Sequence, residues 1–225
     1  MIQSKKNIFL ALASFFLIGF FILTILVIKG LFLPIDKYID QTLPYSKSSF
    51  FYYSSRFIAN LYLPLLGVIT LLIFWFKRRK QRFEILMLLA SFSGWTTAEL
   101  LLKPIFEIQC PNTYYSNVIT QKESFYIPLI QRLALQETCY PSGHTVSYIV
   151  FFGYLIFLTF LYIKKAWLKR TIITGLSFII LLVGPSRIYL HVHWFSDVIA
   201  AYLLGLAILI FLILFRIRHL EKSQL

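Results

Sequence analysis

The feature that most constrains this chain is a series of apolar runs, each about as long as a helix that crosses a bilayer. A hydrocarbon core about 30 Å thick takes ~20 apolar residues per helix. On that ruler the sequence predicts spans near 8–28, 58–76, 83–102, 145–163, 169–186 and 198–215, six in all. They use most of the 225 residues, so residues 1–225 read as a single integral-membrane domain with nothing left for a separate soluble one. The fold class expected is all-α, a polytopic membrane protein. Composition agrees: 59% of residues are hydrophobic and 14% charged, against about half and a quarter in a soluble domain. With 23 Phe and 14 Tyr the chain has too many buriable rings to stay disordered.

The net charge of +13 invites a nucleic-acid reading, but the cations fall in short clusters between apolar runs and not on one polar face or arm. The partners expected are membrane lipids and no nucleic acid; the oligomeric state is not legible. Lys5 and Lys6 precede the first run, Lys77–Lys80 and Arg82 follow the second, Lys164, Lys165, Lys169 and Arg170 separate the fourth and fifth, and Arg216, Arg218 and Lys222 follow the last. These clusters lie at alternate ends of the spans, and the positive-inside bias assigns those ends, and both termini, to the cytoplasm. The first run resembles a signal peptide. Its apolar stretch exceeds the usual ~7–15 residues, however, and it leads into Leu31-Phe32-Leu33-Pro34 with no small-residue cleavage site. It is expected to remain as a helix.

Three segments then face outward: about 29–57, 103–144 and 187–197. The first, with Pro34, Asp36, Asp40, Pro44 and the aromatics from Phe50 to Tyr53, reads as a short interfacial helix pair. The second is the longest loop, and loops beyond ~15 residues tend to be functional. Lys103 opens it and Pro141-Ser142-Gly143-His144 closes it, where the next helix begins. Backbone N–H groups and the positive dipole end at such a start attract anions. In the third segment, a helix running through His193 would put Asp197 one turn on, on the same face. That carboxylate would accept the imidazole N–H, fix the tautomer and leave the other nitrogen as a nucleophile. Arg187 adds a guanidinium that grips phosphate oxygens in a fork.

Each residue also has a plainer reading. Lys103 can snorkel at a helix end or pair with Glu107, His144 can be a helix cap, and His193 a hydrogen-bonded interior residue. Glu99 is a partner candidate for Lys103 or Arg187. His191, His193, His144 and Asp197 also permit a metal site, although side chains two apart on a helix diverge. His219 in the basic tail reads as solvated.

Taken together, the order is specific. Lys103, then Pro141-Ser142-Gly143-His144, then Ser186-Arg187, five residues, His193, three residues and Asp197 resembles the three-part signature of the type 2 phosphatidic acid phosphatase family. Those lipid phosphate phosphatases share their site with the vanadium haloperoxidases. The resemblance implies six spans with the motifs on one side, and hydrolysis through a phosphohistidine without a cofactor or metal. On matching positions, His193 would be the nucleophile, Asp197 its orienting partner and His144 the proton donor. Lys103, Ser142, Gly143 and Arg187 would bind phosphate. It further implies a bacterial inner or plasma membrane with the active site on the extracytoplasmic side. The substrate would be a polyprenyl diphosphate, phosphatidic acid, phosphatidylglycerol phosphate or a phosphorylated glycolipid. A lipid phosphotransferase using the same site, or a non-catalytic relative, are the alternatives.

One position departs. The family's first motif is Lys, six residues, Arg-Pro, whereas here Lys103 is followed by six residues and Cys110-Pro111. A thiol lacks the fork contacts of a guanidinium, and a charge-assisted hydrogen bond is worth about 1.5–3 kcal/mol. A disulfide between Cys110 and Cys139 is a candidate compensation, holding the first motif against the cradle if the outer side is oxidising. Arg132 or Lys122 are candidate substitute cations.

Overall fold

The computed structural model describes residues 2–43, 52–55, 86–88, 98, 102–106, 108, 110–111 and 138–222. The expected span 58–76, nearly all of 83–102, the Lys77–Arg82 cluster, Glu99, Lys122 and Arg132 lie outside them. The helices are α1 (Ile2–Ile28), α2 (Leu33–Thr42), the single turn α3 (Lys103–Phe106), α4 (Gly143–Tyr162), α5 (Ala166–Tyr189) and α6 (Phe195–Lys222). Regular structure among the described residues is helical, apart from an isolated bridge at Thr138. Four stretches, Lys6–Ile28, Gly143–Tyr162, Ala166–Tyr189 and Phe195–Glu221, are long and apolar enough to cross a membrane.

Their exposed residues are those of a lipid-facing surface: Phe15, Ile18, Phe21 and Ile25 on α1, and Trp167, Phe178 and Leu181 on α5. The opposite face of α1 packs on α6, α6 packs on α4, and α4 on α5. Phe20 and Leu23 of α1, Tyr140, Val146 and Val150, and Ala200, Ala201 and Leu204 of α6 form one buried cluster. Tyr140 stacks on Phe20 with centroids 6.3 Å apart and meets Phe106 edge-on at 5.7 Å. Thr24 donates its hydroxyl to Phe20 O at 2.8 Å, so the 2.7 Å contact with Tyr140 is a hydrogen bond from the phenol. These contacts pin α3, and hence Lys103, to the bundle.

Helix ends follow local chemistry. Leu31 N–H bonds Leu26 O at 3.0 Å and Gly30 N–H bonds Val27 O at 2.8 Å, the paired C-terminal bonds of a Schellman motif. Gly30 sits at φ +73°, which that motif needs and a side chain resists. Pro34 then starts α2. Pro185 lies inside α5 without breaking it. A proline there leaves the carbonyl four residues back, Leu181 O, without its donor; the single Tyr202 hydroxyl proton of α6 is shared between Ile180 O at 2.7 Å and Leu181 O at 3.1 Å.

The site-bearing ends of α4, α5 and α6 meet at one end of the bundle together with α2. At the other end Lys6 pairs with Glu221, and Arg216 contacts His219 at 3.3 Å. His219 is exposed there, as expected of the basic tail, with Arg216 alongside it.

Candidate active site

Ser142 stands at the N-cap of α4, fully buried, with ψ 103°. Its N–H donates to Asp197 O at 3.2 Å, and its hydroxyl contacts Thr145 Oγ1 at 3.0 Å. One of the three amides expected to face an anion is thus committed to α6. Gly143 and His144 begin the helix behind it, Gly143 buried and His144 half-buried.

The helix expected through His193 is not there. α5 ends at Tyr189, and the chain turns through residues 190–194, with His191 at φ +52°, before α6 begins at Phe195. His193 and Asp197 still meet, because Asp197 lies in the first turn of α6 and reaches back. Its Oδ2 accepts the Trp194 N–H at 2.9 Å and lies 3.3 Å from His193 Nδ1. Such a carboxylate closing on the first N–H of its own helix is half of a capping box. Both side chains are buried, His193 5% exposed and Asp197 0%. Asp197 Oδ1 has no hydrogen-bond partner among the described residues.

Arg187, Lys103 and His144 come from three different segments, yet all act electrostatically on His193. Burial holds its imidazole well below the ordinary value, and the positive charges of Arg187, Lys103 and His144 push the same way. The neutral ring is the one in which a nitrogen lone pair is available. Lys103 also acts on Asp197.

Cys110 and Cys139 are joined in a disulfide. The Cys139 sulfur lies 3.3 Å from Val192 O, and the Cys139 carbonyl is within hydrogen-bonding reach of the His193 ring. The first-motif segment is thereby tethered to the nucleophile candidate. Cys139, His193 and Asp197 bring ligand-type atoms within 4.8 Å of one another. That trio is a poor metal site, because the sulfur is bonded to Cys110 and cannot serve as thiolate. His191 does not join it either: its Nδ1 faces Asp40 at 2.6 Å.

Residues 84–220 match the PAP2 superfamily. The chain belongs to that family. Its fold is similar to the crystal structure of the first transmembrane PAP2 type phosphatidylglycerolphosphate phosphatase from Bacillus subtilis. The TM-score is 0.72 at 18% identity, covering 92% of this chain and 96% of that one. Among curated protein sequences, none matches this chain. The PAP2 protein described here is an integral membrane protein, with its apolar helices arranged as in that neighbour.

Asp36 and Asp40 of α2, expected only as part of an interfacial helix, reach the turn that carries His193. Asp36 accepts the Ser196 N–H at 2.9 Å and the Ser196 hydroxyl at 2.6 Å. The available signal was two carboxylates four residues apart in a ten-residue helix, a spacing that puts them on one face.

Proposed function

We propose that this chain is a metal-independent membrane phosphatase, one domain over residues 1–225, that removes phosphate from a lipid phosphate or diphosphate through a phosphohistidine. The observation that carries the reading is a buried His193 that faces Asp197 and feels the electrostatic influence of Lys103, His144 and Arg187 from three separate segments. Membership of the PAP2 superfamily supports it, as does the fold shared with a phosphatidylglycerolphosphate phosphatase.

In this reading Asp197 holds Nδ1–H, and Nε2 of His193 attacks phosphorus as the bond to the lipid oxygen breaks. His144 gives its proton to that leaving oxygen. It then takes a proton from water, which attacks the phosphohistidine, releases inorganic phosphate and restores His193. Phosphoryl transfer needs positioning and charge neutralisation more than covalent help. Lys103, Arg187, Ser142 and the Gly143 amide supply both around the equatorial oxygens. A chelator is accordingly expected to leave activity intact.

The topology that goes with it has six spans, cytoplasmic termini, and the site at the extracytoplasmic face of a bacterial inner or plasma membrane. An amphiphile suits that depth. A cavity of about 410 Å³ lies beside Trp194 and Cys110, lined by Val27, Leu33, Asp36 and Lys37; it is not lined by the proposed phosphate-binding residues. Phosphatidic acid, phosphatidylglycerol phosphate, a polyprenyl diphosphate and a phosphorylated glycolipid are the candidates.

One observation favours a second reading, that of a non-catalytic relative: the residue at the motif-one arginine position is Cys110, locked in a disulfide. Phosphate release from a panel of these lipids by purified protein, with a His193→Ala control, separates the two. Hydrolysis abolished by the substitution supports the phosphatase. Vanadate binding with no hydrolysis of any lipid supports the binding protein. Transfer of label to a new alcohol in place of release as free phosphate identifies a phosphotransferase.

A further inference from the structure

One short helix outside the spanning segments grips the candidate nucleophile pair from both sides. Asp36 and Asp40 stand one turn apart on α2 and share a face. Asp36 is 4% exposed and accepts both the N–H and the hydroxyl of Ser196, at 2.9 and 2.6 Å. Ser196 is the second residue of α6 and the immediate neighbour of Asp197. A helix start leaves its first N–H groups unsatisfied, and a cap side chain normally accepts one of them. Here Trp194 precedes the helix, and an indole has no acceptor. Asp36 does the work across 160 residues of sequence.

Asp40 acts on the other flank. Its Oδ1 lies 2.6 Å from His191 Nδ1, two residues before His193, where the backbone holds φ +52°. The two carboxylates therefore bracket His193 and Trp194 from Ser196 and His191. Asp197 Oδ2 serves the Trp194 N–H and His193 at once, so its aim depends on the first turn of α6 staying formed. Burial pushes the Asp36 carboxyl up, and the two Ser196 hydrogen bonds oppose that shift in part.

We propose that α2 is a positioning element for the His193–Asp197 couple, with Asp36 its principal positioning residue and Asp40 the second. The inference rests on His193 being the nucleophile. A carboxylate misaimed by about 1 Å costs on the order of 10²-fold in rate, so a residue that never touches substrate still sets turnover.

The test is the steady-state kinetics of phosphate release from a lipid phosphate by purified protein in detergent, alongside thermal unfolding of each variant. Asp36→Ala is expected to lower kcat by about 10- to 100-fold. KM should stay within about twofold, because substrate binding groups are untouched. Asp36→Asn should recover most of the loss, since its oxygen can accept the Ser196 N–H while its amide donates to the hydroxyl. Ser196→Ala added to Asp36→Ala should add little, as both remove one interaction. Asp40→Ala should lower kcat by less than Asp36→Ala does. Folded Asp36→Ala protein with wild-type kcat, or a change confined to unfolding temperature, overturns the positioning role while leaving the site reading intact. Activity retained in His193→Ala overturns the site reading itself.

Discussion

His193 carries the sharpest expectation at the scale of single residues. A group whose pKa falls on folding stays in its basic form to lower pH, and a nucleophile works in that form. The rate should therefore persist as pH falls through 6.5, the ordinary imidazole value, and decline only well below it. At alkaline pH the rate should fall as the proton donor, proposed as His144, is lost. A kcat/KM profile with its acidic limb at or above 6.5 contradicts a buried neutral His193. The pairing of His193 with Asp197 was legible in their spacing, but for a different local reason: the carboxylate closes a helix start behind a turn instead of sharing a continuous helix. Asp36 and Asp40 were not legible in their roles, because their partners lie 160 and 151 residues away and no local pattern announces such a contact.

Among the elements, α5 and α6 approach most tightly at Gly184, one turn before Arg187 and against Val198 and Tyr202 of α6. A methyl group on Gly184 would stand 2.6 Å from both Tyr202 Cε2 and Val198 Cγ1. Gly184→Ala should force the helices apart at a cost of about 1–3 kcal/mol, the usual range for overpacking. Thermal unfolding in detergent checks this, and phosphate release should fall with it. Tyr202→Phe leaves Leu181 O without that donor and should cost about 1–3 kcal/mol, read the same way. The hydropathy runs located α1, α4, α5 and α6 well, because lipid demands long uninterrupted apolar helices. Their ends were less legible. α5 runs past Pro185 to Tyr189 since Tyr202 supplies the missing donor, and α6 runs to Lys222 because its last turns are held by Lys6–Glu221 and by Arg216.

For the whole molecule, the chain sorts its charges by end. The Lys6–Glu221 pair and the Arg216–His219 contact lie at one end, while the site residues and α2 gather at the other, where the disulfide closes a loop with a sequence separation of 29. In the chain-entropy account, a loop of that size is worth about 3.5 kcal/mol. Reductant should lower the unfolding midpoint and expose two thiols to alkylation; an unchanged midpoint with both thiols labelled would show the bridge to be energetically idle. The central claim is that three distant stretches enclose one phosphorus centre at His193. Rapid alkaline quenching during turnover of phosphate-labelled lipid, followed by peptide mapping, tests it most directly. An alkali-stable, acid-labile phosphoryl group on His193, absent from His193→Ala protein, is the result expected. Turnover with the label on another residue, or with no phosphoprotein at any quench time, would contradict the account.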